Sequence, residues 1–205
     1  MTSLPEPAID VSRLPTTVFG HRSPMWWGTL GFMVIEGSTL VICLVAYFYL
    51  RRNFASYPPP DNLPPGLGIP TVGMLLLLFS IAPMWLADRA ARRGNLPRVR
   101  TWMVVSCLIG LACCVTRTAA LHQLHVRWYD NAYGSAVWFT IGFHTVILLF
   151  EVVESIIFTG FLFRRPVESQ MYSATSDNAA YWYFMALSWV PLYAALFVAP
   201  RLAAW

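Results

Sequence analysis

Five ionisable residues stand in stretches otherwise too apolar to hold them: Glu36, Arg117, His144, Glu151 and Glu154. An isolated charge in such a stretch is expensive, so each reads as partnered or functional. His144 and Glu151 are seven positions apart and on a helix would share one face. Arg117 lies about 16 residues from the near end of its run, and Glu151 about 13 residues before Arg164. At ~1.5 Å per residue those depths are roughly 24 and 20 Å, which predicts a salt bridge between them. Two readings stay open: charges that neutralise each other so that helices pack, or a path for protons or ions along the same groups.

Other reactive side chains carry less. Cys43, Cys107, Cys113 and Cys114 all lie in apolar runs, form no C-x-x-C or Cys/His metal spacing, and read as packing residues. His122 and His125 are three apart near the end of a run and read as solvated imidazoles at a membrane surface. Only His144 is deep, and a membrane haem needs a pair of axial ligands on facing helices. No catalytic, cofactor-binding or metal-binding residue is therefore expected in this chain.

These residues must be positioned by helices. The chain has 205 residues, 57% hydrophobic and only 12% charged, with mean hydropathy +0.54. Apolar runs fall at about 26–50, 69–86, 102–121, 136–163 and 181–199, each close to the ~20 helical residues that cross a bilayer. Continuous runs such as Met74 to Phe79 lack the alternation of a β-barrel strand. The expected fold is all-α: an integral membrane bundle of five transmembrane helices in a single membrane domain, 1–205. Residues 51–68 and 164–180 read as loops, the first rich in proline, and Pro83 should kink the second span. Trp26 and Trp27 at one end of the first span, with Tyr47 and Tyr49 at the other, are spaced as two interfacial belts. Residues 1–24 lack an apolar h-region, so no cleavable signal peptide is expected.

All fourteen basic residues are arginines. Arg13, Arg22, Arg89, Arg92, Arg93, Arg98, Arg100, Arg164 and Arg165 would share one side, against Arg51, Arg52, Arg127 and Arg201 on the other. The positive-inside bias then puts the N-terminus, with 1–24 as a tail, in the cytoplasm and the C-terminus outside. The basic balance fits anionic lipid headgroups; no basic stretch interleaved with stacking aromatics suggests nucleic acid.

Several motifs in order resemble subunit III of the haem–copper cytochrome c oxidases, in its short five-helix form. These are Trp26-Trp27-Gly28, Ile35-Glu36-Gly37, Tyr47-Phe48-Tyr49-Leu50-Arg51, Leu75 to Ser80 with Pro83-Met84-Trp85, and Arg92-Arg93-Gly94-Asn95. Asp130-Asn131-Ala132-Tyr133-Gly134-Ser135, Gly142-Phe143-His144 and Tyr181-Trp182-Tyr183-Phe184 with Trp189 complete the series. The chain departs from the family pattern at Ile147 and Glu151, at Arg117 and Ala120, and at Tyr183 and Ala186. Only the roles of Glu36 and His144 carry over.

The resemblance implies an accessory subunit of the aerobic respiratory chain, in a bacterial inner membrane, without the first two helices of seven-helix members. It implies no haem or copper in this chain, both being expected in partner subunits, and packing against catalytic subunit I and subunit II. It also implies phospholipid in a cleft between helix groups, and support for proton uptake and durability of the oxidase. The alternatives are a subunit III-like component of a quinol oxidase or nitric oxide reductase, or a self-standing proton or ion transporter. The last is disfavoured because no inverted repeat or pair of broken helices is visible.

Overall fold

A computed structural model describes residues 18–54, 56–60, 62–164 and 168–202. Arg13, Arg165 and most of the expected N-terminal tail lie outside the described residues. Six α-helices follow in order: α1 (Pro24–Asn53), α2 (Gly68–Phe79), α3 (Ile81–Ala91), α4 (Leu96–His122), α5 (Ala132–Arg164) and α6 (Ser169–Tyr193). A short π-helical stretch and a 3₁₀ turn extend α6 to Arg201. Five helical stretches, Pro24–Asn53, Gly68–Ala91, Leu96–His122, Ala132–Arg164 and Ser169–Arg201, are long and apolar enough to cross a membrane. The described residues contain no strand.

The second span is divided at Ser80, three residues before Pro83. Proline has no N–H for the carbonyl four residues back, and its ring crowds that carbonyl, so the helix is re-started there. Ser80 makes use of the break: its hydroxyl donates to the Leu77 carbonyl at 2.5 Å and accepts from Trp182 Nε1 of α6 at 2.8 Å.

The turn between α3 and α4 rests on Gly94, whose φ of +64° favours a residue without Cβ. Next to it, Asn95 caps α4 by accepting from the Arg98 N–H at 3.2 Å, with Pro97 in the first turn. The segment before α5 is equally specified. Asp130 accepts from the Arg127 N–H at 2.7 Å, and Asn131 accepts from the Gly134 N–H at 2.8 Å. A Cβ on Gly134 would stand 2.3 Å from the Arg127 carbonyl oxygen.

α6 is the hub, packing against α1, α2, α3 and α5, while α4 packs against α2, α3 and α5. Trp182, Met185, Ala186 and Leu192 of α6 are completely buried. Trp182 fits because α4 has Gly110 there: a Cβ would come within 2.9 Å of the indole and 2.8 Å of Val152. Among the long helices, α1 packs mainly against α5 and α6. Its buried residues, Leu40, Cys43 and Tyr47, all lie in its second half.

Two expectations are corrected. The last helix begins at Ser169, not near 181, so most of the polar stretch 164–180 is helix. Its Thr175, Ser176, Asp177 and Asn178 are polar yet buried within the bundle. Tyr47 is not a belt residue either. It is 1% exposed and packs edge-on to Tyr57 of the proline loop, which in turn meets Tyr133. Burial raises the Tyr57 phenol above its ordinary range.

Candidate functional site

The N-terminal half of α1 stands away from α5 and α6 and leaves a cleft of about 420 Å³. Its walls carry Glu36 from α1, Glu151 and Glu154 from α5, and Asp177, Asn178 and Tyr181 from α6. The helices meet again beyond it, where a Cβ on Gly37 would lie 3.4 Å from the Phe184 ring. Four carboxyl side chains thus share one recess, and among the described residues no basic side chain lines it.

Each carboxyl has its own setting. Glu36 accepts a short hydrogen bond from the Tyr181 hydroxyl. Glu151, 2% exposed, accepts from Asn178 Nδ2 at 3.0 Å, and the same amide nitrogen reaches Ser155 Oγ at 3.1 Å. Ser155 Oγ lies 3.3 Å from Asn178 Oδ1 and 3.5 Å from Glu151 Oε1, so its single proton serves one of them at a time. Glu154 is exposed to the cleft. Asp177 is 4% exposed, and its Oδ2 is buried without a hydrogen-bond partner.

Beside the cleft, α3 and α6 are joined by Arg92, Asp88 and Ser176. Arg92 Nε lies 3.0 Å from both Asp88 carboxylate oxygens, its Nη2 donates to Ser176 Oγ at 2.6 Å, and Ser176 donates to Asp88. Arg92 and Asp88 thus form an ion pair.

Arg117 and His144 belong to a different place. The Arg117 guanidinium carbon sits 3.4 Å from the centre of the Trp189 ring, and the His144 ring centre is 4.8 Å from the same indole. His144 is fully buried; Nε2 lies 3.0 Å from the Met185 carbonyl oxygen, and Nδ1 has no partner.

The expected Arg117–Glu151 salt bridge is therefore absent among the described residues. The reason is helix register. Arg100 Nε donates to the Leu162 carbonyl, and Gly110 is level with Val152. Counting along α4 from there puts Arg117 six or seven residues past the level of Glu151, an offset of ~9–10 Å. α4 starts at Leu96 rather than near 102, and counting depth from the later start hides that offset.

Sequence reasoning singled out Glu36, Glu151 and Glu154 but missed Asp177, Asn178, Tyr181 and Ser155. The missed signal was periodic: Ala174, Asp177, Asn178 and Tyr181 recur at helical spacing and form one face. His122 and His125 are exposed. The four cysteines are free, and no group of three or more His, Cys, Asp or Glu among the described residues is placed to hold a metal ion.

Fold and site together define a five-span helical bundle whose chemistry-bearing groups are carboxyls in a cleft between its first and last spans. No family model matches the chain. It is similar to a "probable cytochrome c oxidase subunit 3" of Mycobacterium tuberculosis, 25% identical over 163 residues that cover 75% of this chain and 78% of that one. A protein of the same name from Mycobacterium leprae is 24% identical over 178 residues, 83% of this chain and 85% of the other. The cytochrome c oxidase subunit 3 of Osphranter robustus is 21% identical over 196 residues, covering 88% of this chain and 74% of its own. These homologues support kinship with oxidase subunit III at low identity. With the five long apolar helices they also support a multi-pass membrane protein.

Proposed function

We propose that this chain is an accessory subunit of a haem–copper terminal oxidase, the subunit III of a cytochrome c oxidase in a bacterial inner membrane. The observation that carries this reading is the shared name of homologues aligned over most of both chains. In this reading haem and copper reside in subunits I and II, against which this bundle packs, and the chain itself has no catalytic centre. Its N-terminus is cytoplasmic, in keeping with the arginine distribution.

The cleft supplies the chain's own chemistry. Carboxyl groups at Glu36, Glu151, Glu154 and Asp177 exchange protons with one another and with water that enters the recess, and so sustain proton uptake by the neighbouring subunit. The volume and the apolar lining residues Met25, Phe32 and Phe158 accept part of a phospholipid acyl chain. A lipid held there seals the interface between this bundle and the catalytic subunit.

Oxygen consumption tests the reading. Oxidase from cells lacking this chain should lose activity faster during turnover than oxidase from cells in which it is restored. Identical decay in both would contradict the proposal.

A further inference from the structure

Five arginines, Arg89, Arg92, Arg93, Arg98 and Arg100, lie in or beside the turn between α3 and α4, and the fold uses two of them internally. Arg92 reaches Asp88 and Ser176. Arg100 donates to the Leu162 carbonyl at 2.8 Å, with its guanidinium over the Phe163 ring. Arg89, Arg93 and Arg98 are exposed and have no carboxylate partner among the described residues. All three line one pocket of about 270 Å³, together with Leu86, Asn95 and Trp102.

Helical spacing brings them there. Leu86, Arg89 and Arg93 recur three and four residues apart along α3 and the turn, and Asn95, Arg98 and Trp102 do the same at the start of α4. On each helix an arginine stands one turn outside a tryptophan: the Arg89 guanidinium carbon is 5.2 Å from the Trp85 ring centre, and Arg98 precedes Trp102 by four residues. Tryptophan collects at the membrane–water interface, so the pocket lies at headgroup depth, with its arginines toward the turn and Leu86 and Trp102 toward the span. The turn is held in place by the Asn95 cap and by Tyr172 of α6, which donates to the Gly94 carbonyl at 3.2 Å.

Three cations around one concave site repel one another, and an anion entering it relieves that repulsion. Phosphate suits them, because guanidinium groups bind phosphate oxygens in forked pairs. The volume is several times the ~30 Å³ that a water occupies in the liquid, room for a phosphate and its glycerol. We propose that this pocket holds the headgroup phosphate of an anionic phospholipid, whose acyl chains continue past Leu86 and Trp102 into the bilayer. Basic pockets between spanning helices are suited to such headgroups. The site is separate from the carboxyl cleft of α1, α5 and α6. It rests on the bundle crossing a membrane and not on the oxidase reading.

The full chain, or the complex in which it purifies, is delipidated in detergent and titrated with phosphatidylglycerol or phosphatidylcholine, and bound copies are counted by native mass spectrometry. One tightly held phosphatidylglycerol is expected, with phosphatidylcholine bound more weakly and inorganic phosphate at equal concentration unable to displace the lipid. Arg89→Gln, Arg93→Gln and Arg98→Gln should each weaken retention about fivefold, the effect of one arginine beside anionic lipid. Arg52→Gln, the same charge change at an exposed residue in the last turn of α1, should leave it unchanged. Equal binding of phosphatidylcholine, displacement by inorganic phosphate, or wild-type retention in all three pocket variants overturns the proposal. A second arm needs no variant: phosphatidylglycerol with a diazirine near the top of an acyl chain is photo-crosslinked to the wild-type protein and the labelled peptide is identified. Label within 86–102 is expected, and label only elsewhere overturns the proposal.

Discussion

Tyr181 donates its phenolic proton to the carboxyl of Glu36, tying the last long helix to the first across 145 residues of chain. Both residues line the cleft between α1 and the α5–α6 pair. Tyr181→Phe should keep the bundle folded but leave Glu36 without its donor, at a cost of about 1 kcal/mol. Glu36→Gln still accepts from Tyr181 and should assemble normally, with a modest change in proton uptake or turnover durability. Glu36→Leu should lose both the bond and that function. The measurement is the inactivation rate of the assembled oxidase during turnover; wild-type behaviour of Glu36→Leu would remove the residue from the account.

Asn178 and Glu151 should behave as a coupled pair. Asn178→Ala removes the amide donor from the buried Glu151 carboxyl and leaves it only the 3.5 Å contact with the Ser155 hydroxyl, which costs about 1–3 kcal/mol. Replacing Asn178 and Glu151 together with leucine should be milder than the sum of the single changes. Arg117 supplies the contrast. Its guanidinium lies over the Trp189 ring, so its substitution and that of Glu151 should add to within roughly 0.5 kcal/mol. Unfolding of the double-mutant sets in detergent separates the two cases.

Gly134 and Gly142 lie on the same helix but differ in what surrounds them. A Cβ at Gly134 collides with a backbone carbonyl, whereas nothing lies within 4 Å of one at Gly142. Gly134→Ala should destabilise the chain by at least ~1–3 kcal/mol, the usual range for overpacking, while Gly142→Ala should be close to neutral. Comparing their melting midpoints checks both.

The helices were legible in the sequence because each apolar run is long and uninterrupted. Their ends were not, because a polar run reads as a loop whether it faces water or another helix. Ser176 and Asn178 show the difference: both are buried, and both spend their polarity on hydrogen bonds to Asp88 and Glu151. Glu36 stood out as a lone charge in the first apolar run, whereas Tyr181 looked like one more aromatic in a membrane helix. The Arg117–Glu151 pairing was misjudged because depth along a helix depends on where it starts, and Asn95 starts α4 a turn and a half before its apolar run.

The proposed orientation rests on the arginine distribution. A reporter inserted after Arg93 should be active in the cytoplasm, and one fused after Trp205 should be active outside. Finding both on the same side would remove either the orientation or one of the five spans.

The most direct test of the account is gentle detergent purification through a tag on this chain from its native membrane, followed by an optical spectrum and identification of the companion polypeptides. The account predicts a haem spectrum contributed by co-purifying oxidase subunits I and II, and no stoichiometric haem or copper in the chain expressed alone. A chain that purifies without a haem-bearing partner, or that carries stoichiometric haem by itself, would contradict it.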